Sequence, residues 1–282
     1  MGVVVNAVLA VGKLVAGLLG GSFALVADAV ESIVDIAGSA VVWSAMAYGD
    51  RPPDAEHPFG HGRMEAVAEL AVSMLVVVAG GWIAVEAATG LREPQAVPAA
   101  FTLGVLVVVV AVKWTLGRAA AGAARAAGGS SAGSADAWHH HADAITSAFA
   151  FVGISAAIVG GDAWAVADEV AALLASIVIV INGLGLAREP MHELLDRHHP
   201  EIADAAAGIA VGVEGVMGIE RCEARRSGRG HRVVMHAEVD PEMTVSEAHR
   251  VTGRIKAAIR EARPDIDHVL VHVEPWRGRA ED

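Results

Sequence analysis

The chain has 282 residues, 54% of them hydrophobic, with a mean hydropathy of +0.47. Its charges are unevenly spread: residues 1–188 hold 8 Lys/Arg and 15 Asp/Glu, about 12% charged, whereas 189–282 hold 13 and 18, about 33%. An average soluble domain is ~25% charged, so a single soluble domain is excluded, and so is a disordered chain, which needs low hydrophobicity. The net charge of −12 and pI near 5.5 argue against nucleic acid as a partner.

The composition predicts a membrane domain over 1–188 followed by a soluble domain over 189–282. A spanning helix needs about 20 mostly apolar residues. Six stretches qualify: Val3–Leu19, Phe23–Tyr48, Ala66–Ala88, Pro98–Leu116, Trp138–Val159 and Ala163–Ala187. The first lacks a basic start and runs on past any cleavage position, so it does not read as a signal peptide. Arg51, Arg63, Arg118, Arg125 and Arg188 flank one side of these spans and only Arg92 the other. That bias places the N-terminus, the loops after spans two and four, and the C-terminal domain in the cytoplasm. The small-residue run 126–135 reads as a flexible linker.

The C-terminal part reads helix, strand, strand, helix, strand. Pro200–Val213 is the first helix, and Ile219–Arg225 and Arg232–Val239 alternate as strands about a Ser227-Gly228-Arg229-Gly230 turn. Val245–Ala262 is the second helix, with Thr244 or Ser246 as its start and Pro264 as its stop, and Val269–Val273 is the last strand.

Thirteen histidines in so apolar a chain point to metal or proton chemistry. Lone Cys222 excludes an internal disulfide framework and a cysteine-rich metal site. Span two carries Asp28, Glu31 and Asp35. Ionisable groups at bilayer depth cost about 2.5–3.5 kcal/mol each on insertion scales, so they read as functional by default. Glu31 and Asp35 share a helix face, as do His139 and Asp143 in span five. If the two helices face one another, three carboxylates and one imidazole make a four-coordinate site for a divalent ion. Without metal, those close negative charges would hold protons, which metal would displace. Asp28 reads either as part of this chemistry or as a structural partner for Lys13 or Lys113. Asp136, His140 and His141 adjoin the span-five pair, and His140 and His141 point elsewhere on the helix.

In the loop DRPPDAEHPFGHGR, Asp54, His57 and His61 are spaced three and four apart, which fits either an exposed metal site or an ordinary polar turn. In the soluble domain Glu220, His236, His249, His272 and Glu274 fall at strand and helix positions, and together they allow a regulatory metal cluster.

At these residues the chain resembles the cation diffusion facilitator family of metal efflux transporters. The motifs are SFALVADAVESIVDIAGS in span two, HPFGHGRMEAVAEL after it, DAWHHHADAITS in span five and LVHVEP near the end. The resemblance implies an α-helical membrane protein with six transmembrane helices, plus a C-terminal α+β ferredoxin-like cytoplasmic domain, assembled as a homodimer. It implies a transport site on Glu31, Asp35, His139 and Asp143, a loop site on Asp54, His57 and His61, and a binuclear cytoplasmic site on Glu220, His236, His249, His272 and Glu274. It further implies a charge interlock between Arg63 and Asp196. The expected protein is no enzyme. It is a proton-coupled antiporter of the bacterial inner membrane that exports a divalent metal, with Zn2+ or Fe2+ favoured on family frequency and cobalt, manganese and nickel also open. Divalent metal would be both cargo and regulator. Three departures stand out: Glu31 replaces the usual Asp or His, Glu220 and Glu274 stand where His and Asp are common, and no long His-rich loop joins spans four and five. The rival readings are a membrane metal sensor without transport and a membrane metalloenzyme; the latter would need an open metal position and a general base beside a substrate pocket, whereas the four ligands close a tetrahedral site and nothing supplies a separate nucleophile.

Overall fold

The apolar runs fold as helices because nothing within them breaks the 3.6-residue repeat, and the breaks fall at glycine, proline and charge. The computed structural model describes the backbone over residues 2–93, 96–126 and 131–278, and the side chains over that range except at 2–3, 116 and 120–144. The chain divides into two units, one comprising Met1–Val41 and Ala71–Ala187, the other Val42–Leu70 and Arg188–Asp282.

The first unit is built from α1 (Gly2–Gly20), the first part of α2 (Phe23–Gly49), most of α3 (Met64–Gly90), α4 (Phe101–Ala126), α5 (Ser131–Gly160) and α6 (Ala167–Leu186). Among the described residues four helices are long and apolar enough to cross a membrane: Met64–Gly90, Phe101–Ala119, Ile145–Trp164 and Ala167–Leu194. The continuous apolar part of α1 is shorter, Val4–Gly20, and α2 is long but interrupted by its three acids. The run expected as a linker over 126–135 differs: α5 already begins at Ser131, since alanine favours helix over coil.

This unit carries its apolar side chains outward. On α1, Val4, Val8, Val11 and Val15 are 68%, 67%, 60% and 48% exposed at helical spacing, while Lys13 is fully buried. A helix in water shows the reverse arrangement. Inside, small residues let the helices approach. A Cβ at Gly153 of α5 would sit 2.7 Å from the Ala167 carbonyl oxygen, and one at Gly183 of α6 would sit 2.9 Å from Val77 Cγ2 of α3. Such close approach is how helices pack where lipid removes the hydrophobic driving force.

The second unit carries α7 (Arg188–Leu194), α8 (Pro200–Val211), β1 (Gly218–Ser227), β2 (Gly230–Val239), α9 (Val245–Ala262) and β3 (Ile266–Pro275). The strand order is β1-β2-β3, with β1 and β2 antiparallel and β2 and β3 parallel across the α9 connection. Ser227 pairs with Gly230, so the hairpin loop is Gly228-Arg229, and Gly228 takes φ +65°. Thr244 is the N-cap of α9 in a reciprocal capping box with Glu247. Val251, Ile255 and Ile259 of α9 and Ala203, Ala206 and Ala210 of α8 pack onto Val233, Met235 and Ala237 of β2 and Val269 of β3. Strand alternation then turns His236, His272 and Glu274 to the opposite face of the sheet.

Candidate metal centres

Asp28 is buried, and its partner is Lys13 of α1: the ammonium lies 3.0 Å from Asp28 Oδ1 and donates to the Asp28 carbonyl oxygen at 2.8 Å and to Ser32 Oγ at 2.6 Å. Lys113 of α4 also donates to Ser32 Oγ, at 3.3 Å, and Ser147 of α5 donates to both carboxylate oxygens of Asp28 at 3.0 Å. Of the alternatives open for Asp28, the structure selects the partner of Lys13. A buried charge is tolerated when it is paired and hydrogen-bonded, and here one carboxylate gathers α1, α2 and α5.

One turn along α2, Glu31 is buried and Asp35 half-buried, and both line a narrow cavity with Val76 and Ile83 of α3 and Ile179 and Asn182 of α6. That cavity, about 10 Å³, is close to the space of a single water. His139 and Asp143 belong to α5, but their side chains lie outside the described residues, as do those of Asp136, His140 and His141.

The loop residues do converge. Asp54, His57 and His61 present one ligand atom each, all within 4.8 Å of one another. Asp54 Oδ1 accepts from the backbone N–H of His57 at 2.7 Å and of Glu56 at 3.0 Å, and Oδ2 lies 3.3 Å from His61 Nε2. These bonds, the His57 N–H first, hold the Asp54 carboxyl below the usual carboxylate range. His61 is buried under an edge-on contact with Tyr48, and its Nδ1 has no hydrogen-bond partner among the described residues. One ionised carboxylate and two imidazoles, with Asp54 and His57 open to solvent, fit a divalent ion that keeps a water.

On the outer face of the sheet His236 and His272 are cross-strand partners with ring centroids 4.9 Å apart. Glu274 Oε1 lies 2.5 Å from His236 Nδ1 and 3.6 Å from His272 Nε2, and Glu220 Oε2 lies 3.6 Å from His236 Nδ1. Glu220 and Glu274 share a hydrogen bond, which pushes the Glu220 carboxyl up and holds Glu274 down. Glu220, His236, His272 and Glu274 are thus together. His249 is on α9 and lines a surface cavity with Lys256, Thr252 and Glu274. Arg63 meets Asp196 as the interlock requires, and Arg225 joins the same carboxylate, Nη1 to Oδ2 at 2.6 Å.

Residues 1–195 match the family model described as the cation efflux transmembrane domain, and 199–276 match that of the cation efflux protein cytoplasmic domain. The chain belongs to the cation diffusion facilitator family of metal efflux transporters. Among the relatives of this facilitator is the manganese efflux system protein MneP of Bacillus subtilis, 28% identical over 97% of this chain and 93% of that protein. The cation-efflux pump FieF of Pectobacterium atrosepticum is 29% identical over 90% and 84%. Metal tolerance protein C1 of Arabidopsis thaliana is 30% identical over 98% of this chain, which spans 61% of its length. The solved MamM-CTD structure is 30% identical, covering 28% of this chain and 100% of that one, at a TM-score of 0.27. The family is one of transporters, and divalent cation efflux is the activity it carries.

Two features of this facilitator escaped the sequence reading. Asp168 of α6 accepts from Ser22 Oγ at 2.7 Å and from the backbone N–H groups of Phe23 at 2.6 Å and Ala24 at 3.2 Å, so a side chain distant in sequence caps the first turn of α2. Asn182 joins Glu31 and Asp35 at their cavity. The rule that singled out Asp28 applies equally to Asp168 and Glu169, two acids inside an apolar segment; Asn182 is uncharged and carries no such signal.

Proposed function

We propose that this chain is a proton-coupled antiporter that exports a divalent transition metal from the cytoplasm through Glu31, Asp35, His139 and Asp143. In this reading six helices span the bilayer over 1–188, with both termini and the soluble domain of 189–282 on the cytoplasmic side of a bacterial inner membrane. The observation that carries it is the pair of Ser147 hydrogen bonds to Asp28, which hold α5 against α2. Six spans make α2 and α5 antiparallel. One turn from Ser147 toward Asp143 then runs the same way as one turn from Asp28 toward Glu31, and the next turns bring the helix positions of His139 and Asp35 level.

Metal entering from the cytoplasm binds the carboxylates and the imidazole and displaces at least one proton, from His139 first. The helix pack then rocks outward, protons from outside compete the metal off, and the protonated site returns. Each charge moved inward across 100 mV contributes about 2.3 kcal/mol. Three oxygens, one nitrogen and no thiolate disfavour copper(I) and suit zinc, iron(II), manganese, cobalt and nickel. Zinc and iron(II) remain the favoured cargo on family frequency, and the manganese relative puts that ion in the same assay. Residues Asp54, His57 and His61, and separately Glu220, His236, His272 and Glu274, would hold metal as regulatory sites of a homodimer, with His249 a further ligand of the second.

Metal-resolved flux in proteoliposomes with a set pH gradient tests the transport reading. Flux that rises with an inward proton gradient supports it, while metal binding without flux in any gradient would establish the sensor reading instead. For regulation, the distance between the two soluble domains should shorten when metal is added, and a metal-independent distance would refute that step.

A further inference from the structure

The second unit also holds a cavity of about 340 Å³ lined by Arg63, Arg225 and Arg232 together with Phe59, Ser227 and Asp196. Three guanidiniums face one carboxylate. Arg63 and Arg225 both donate to Asp196, which sits at φ +57°, a left-handed conformation that fixes its carboxylate just beyond α7. Arg232 donates to the carbonyl oxygen of Phe59 and lies 6.0 Å over its ring. The acid that bears on Arg232 is Asp267, which lies outside the cavity lining. Burial and the neighbouring charges of Arg225 and Arg63 all work against the Arg232 charge.

The other arginines of this region differ. Arg226 has Glu193 at 3.5 Å and Glu65 at 3.9 Å, and Arg229 has Asp50 at 3.4 Å. The cavity is where positive charge exceeds negative. Each guanidinium offers five N–H donors in a planar fork, and the bonds described leave several of them for an anion with three or four oxygens. Its placement is also specific: Arg63 directly precedes α3, a 27-residue helix long enough to cross the bilayer.

We propose that this cavity binds a phosphate-bearing anion through Arg232, Arg225 and Arg63. The chemistry is common to the headgroup of an anionic phospholipid and to a soluble phosphate.

The full-length protein tests it with two probes. Phosphatidylglycerol retention is measured by native mass spectrometry after release from nanodiscs of phosphatidylglycerol and phosphatidylcholine, and inorganic phosphate is titrated into delipidated protein while thermal unfolding is followed. Arg232→Gln and Arg225→Gln should each weaken the binding by about tenfold, the loss of one charge-assisted hydrogen bond. Arg229→Gln removes an equal charge whose partner is Asp50, and it should leave binding unchanged. An effect confined to phosphatidylglycerol assigns the site to a lipid headgroup, and one seen with inorganic phosphate assigns it to a soluble anion. If Arg232→Gln does not fold, Arg225→Gln alone carries the comparison. A folded pocket variant that matches Arg229→Gln with both probes overturns the proposal.

Discussion

The two units handle the same acidic and basic residue types in opposite ways. In the first, charge is interior and apolar surface exterior: Lys13 and Asp28 are buried while Val4, Val8 and Val11 of α1 lie exposed. In the second, Val251, Ile255 and Ile259 are buried and the histidines and carboxylates lie on the far face of the sheet. The difference follows from what surrounds each. Lipid cannot satisfy a charge, so an interior acid of the first unit needs partners inside the fold, as Asp28 finds in Lys13 and Ser147 and Asp168 finds in Ser22. Water satisfies charge readily, so the second unit can gather carboxylates and imidazoles where an ion can reach them.

The sharpest test of this contrast removes a carboxylate proposed to hold metal. Asp35→Ala should abolish metal flux in proteoliposomes while leaving a folded, monodisperse protein, and full flux in that variant would refute the assigned site. Removing a charge assigned to structure should do the reverse. Lys13→Met leaves Asp28 buried beside Ser147 with its cation gone, a loss of about 3–5 kcal/mol. It should lower the thermal unfolding midpoint in detergent, and Lys13→Met/Asp28→Leu should recover most of that loss. Additive effects of the two substitutions would show that the pair is not coupled.

In the second unit the expected effects are smaller, because single groups there are exposed. Thr244→Ala removes the N-cap of α9 at about 1 kcal/mol. Faster amide hydrogen exchange over 245–248, with β2 unchanged, is the expected signature. The smallest effect concerns Cys222. Burial pushes its thiol up to about 11, with Asp204 and Glu223 adding to the shift. Burial disfavours the thiolate, so alkylation at pH 8 should be roughly a hundredfold slower than for an ordinary thiol and should rise as pH approaches that value. Rapid alkylation at pH 8 would show that β1 exposes this position.

Local signals made the second unit largely legible. Strand alternation, the Ser-Gly-Arg-Gly turn and the Thr244 cap are read within a few residues of themselves, and their elements fall where expected, with the strands two or three residues longer at some ends. The Asp54, His57 and His61 cluster was legible for the same reason: its spacing of three and four closes within one loop. His249 shares a cavity lining with Glu274 of the outer-face group, a meeting between α9 and β3 that no spacing within α9 reveals. Long-range pairings were invisible to spacing, and only the resemblance named one of them, Arg63 with Asp196. Asp168 meets the start of α2 across 145 residues, and Arg232 meets Phe59 across 173. Such meetings depend on how helices and strands pack, and charge alone names only the candidates, as it did for Lys13.

The Asp168 cap constrains how α2 can move. Phe23 and Ala24 are tethered to α6, so in any swing of α2 about that end the displacement would grow with distance from it. At 1.5 Å per residue Glu31 lies about 12 Å and Asp35 about 18 Å down the shaft. A swing of about 10° would carry the first carboxylate about 2 Å and the second about 3 Å, which in the proposed transport site would be enough to pull apart ligands that must sit within a bond length of a shared ion.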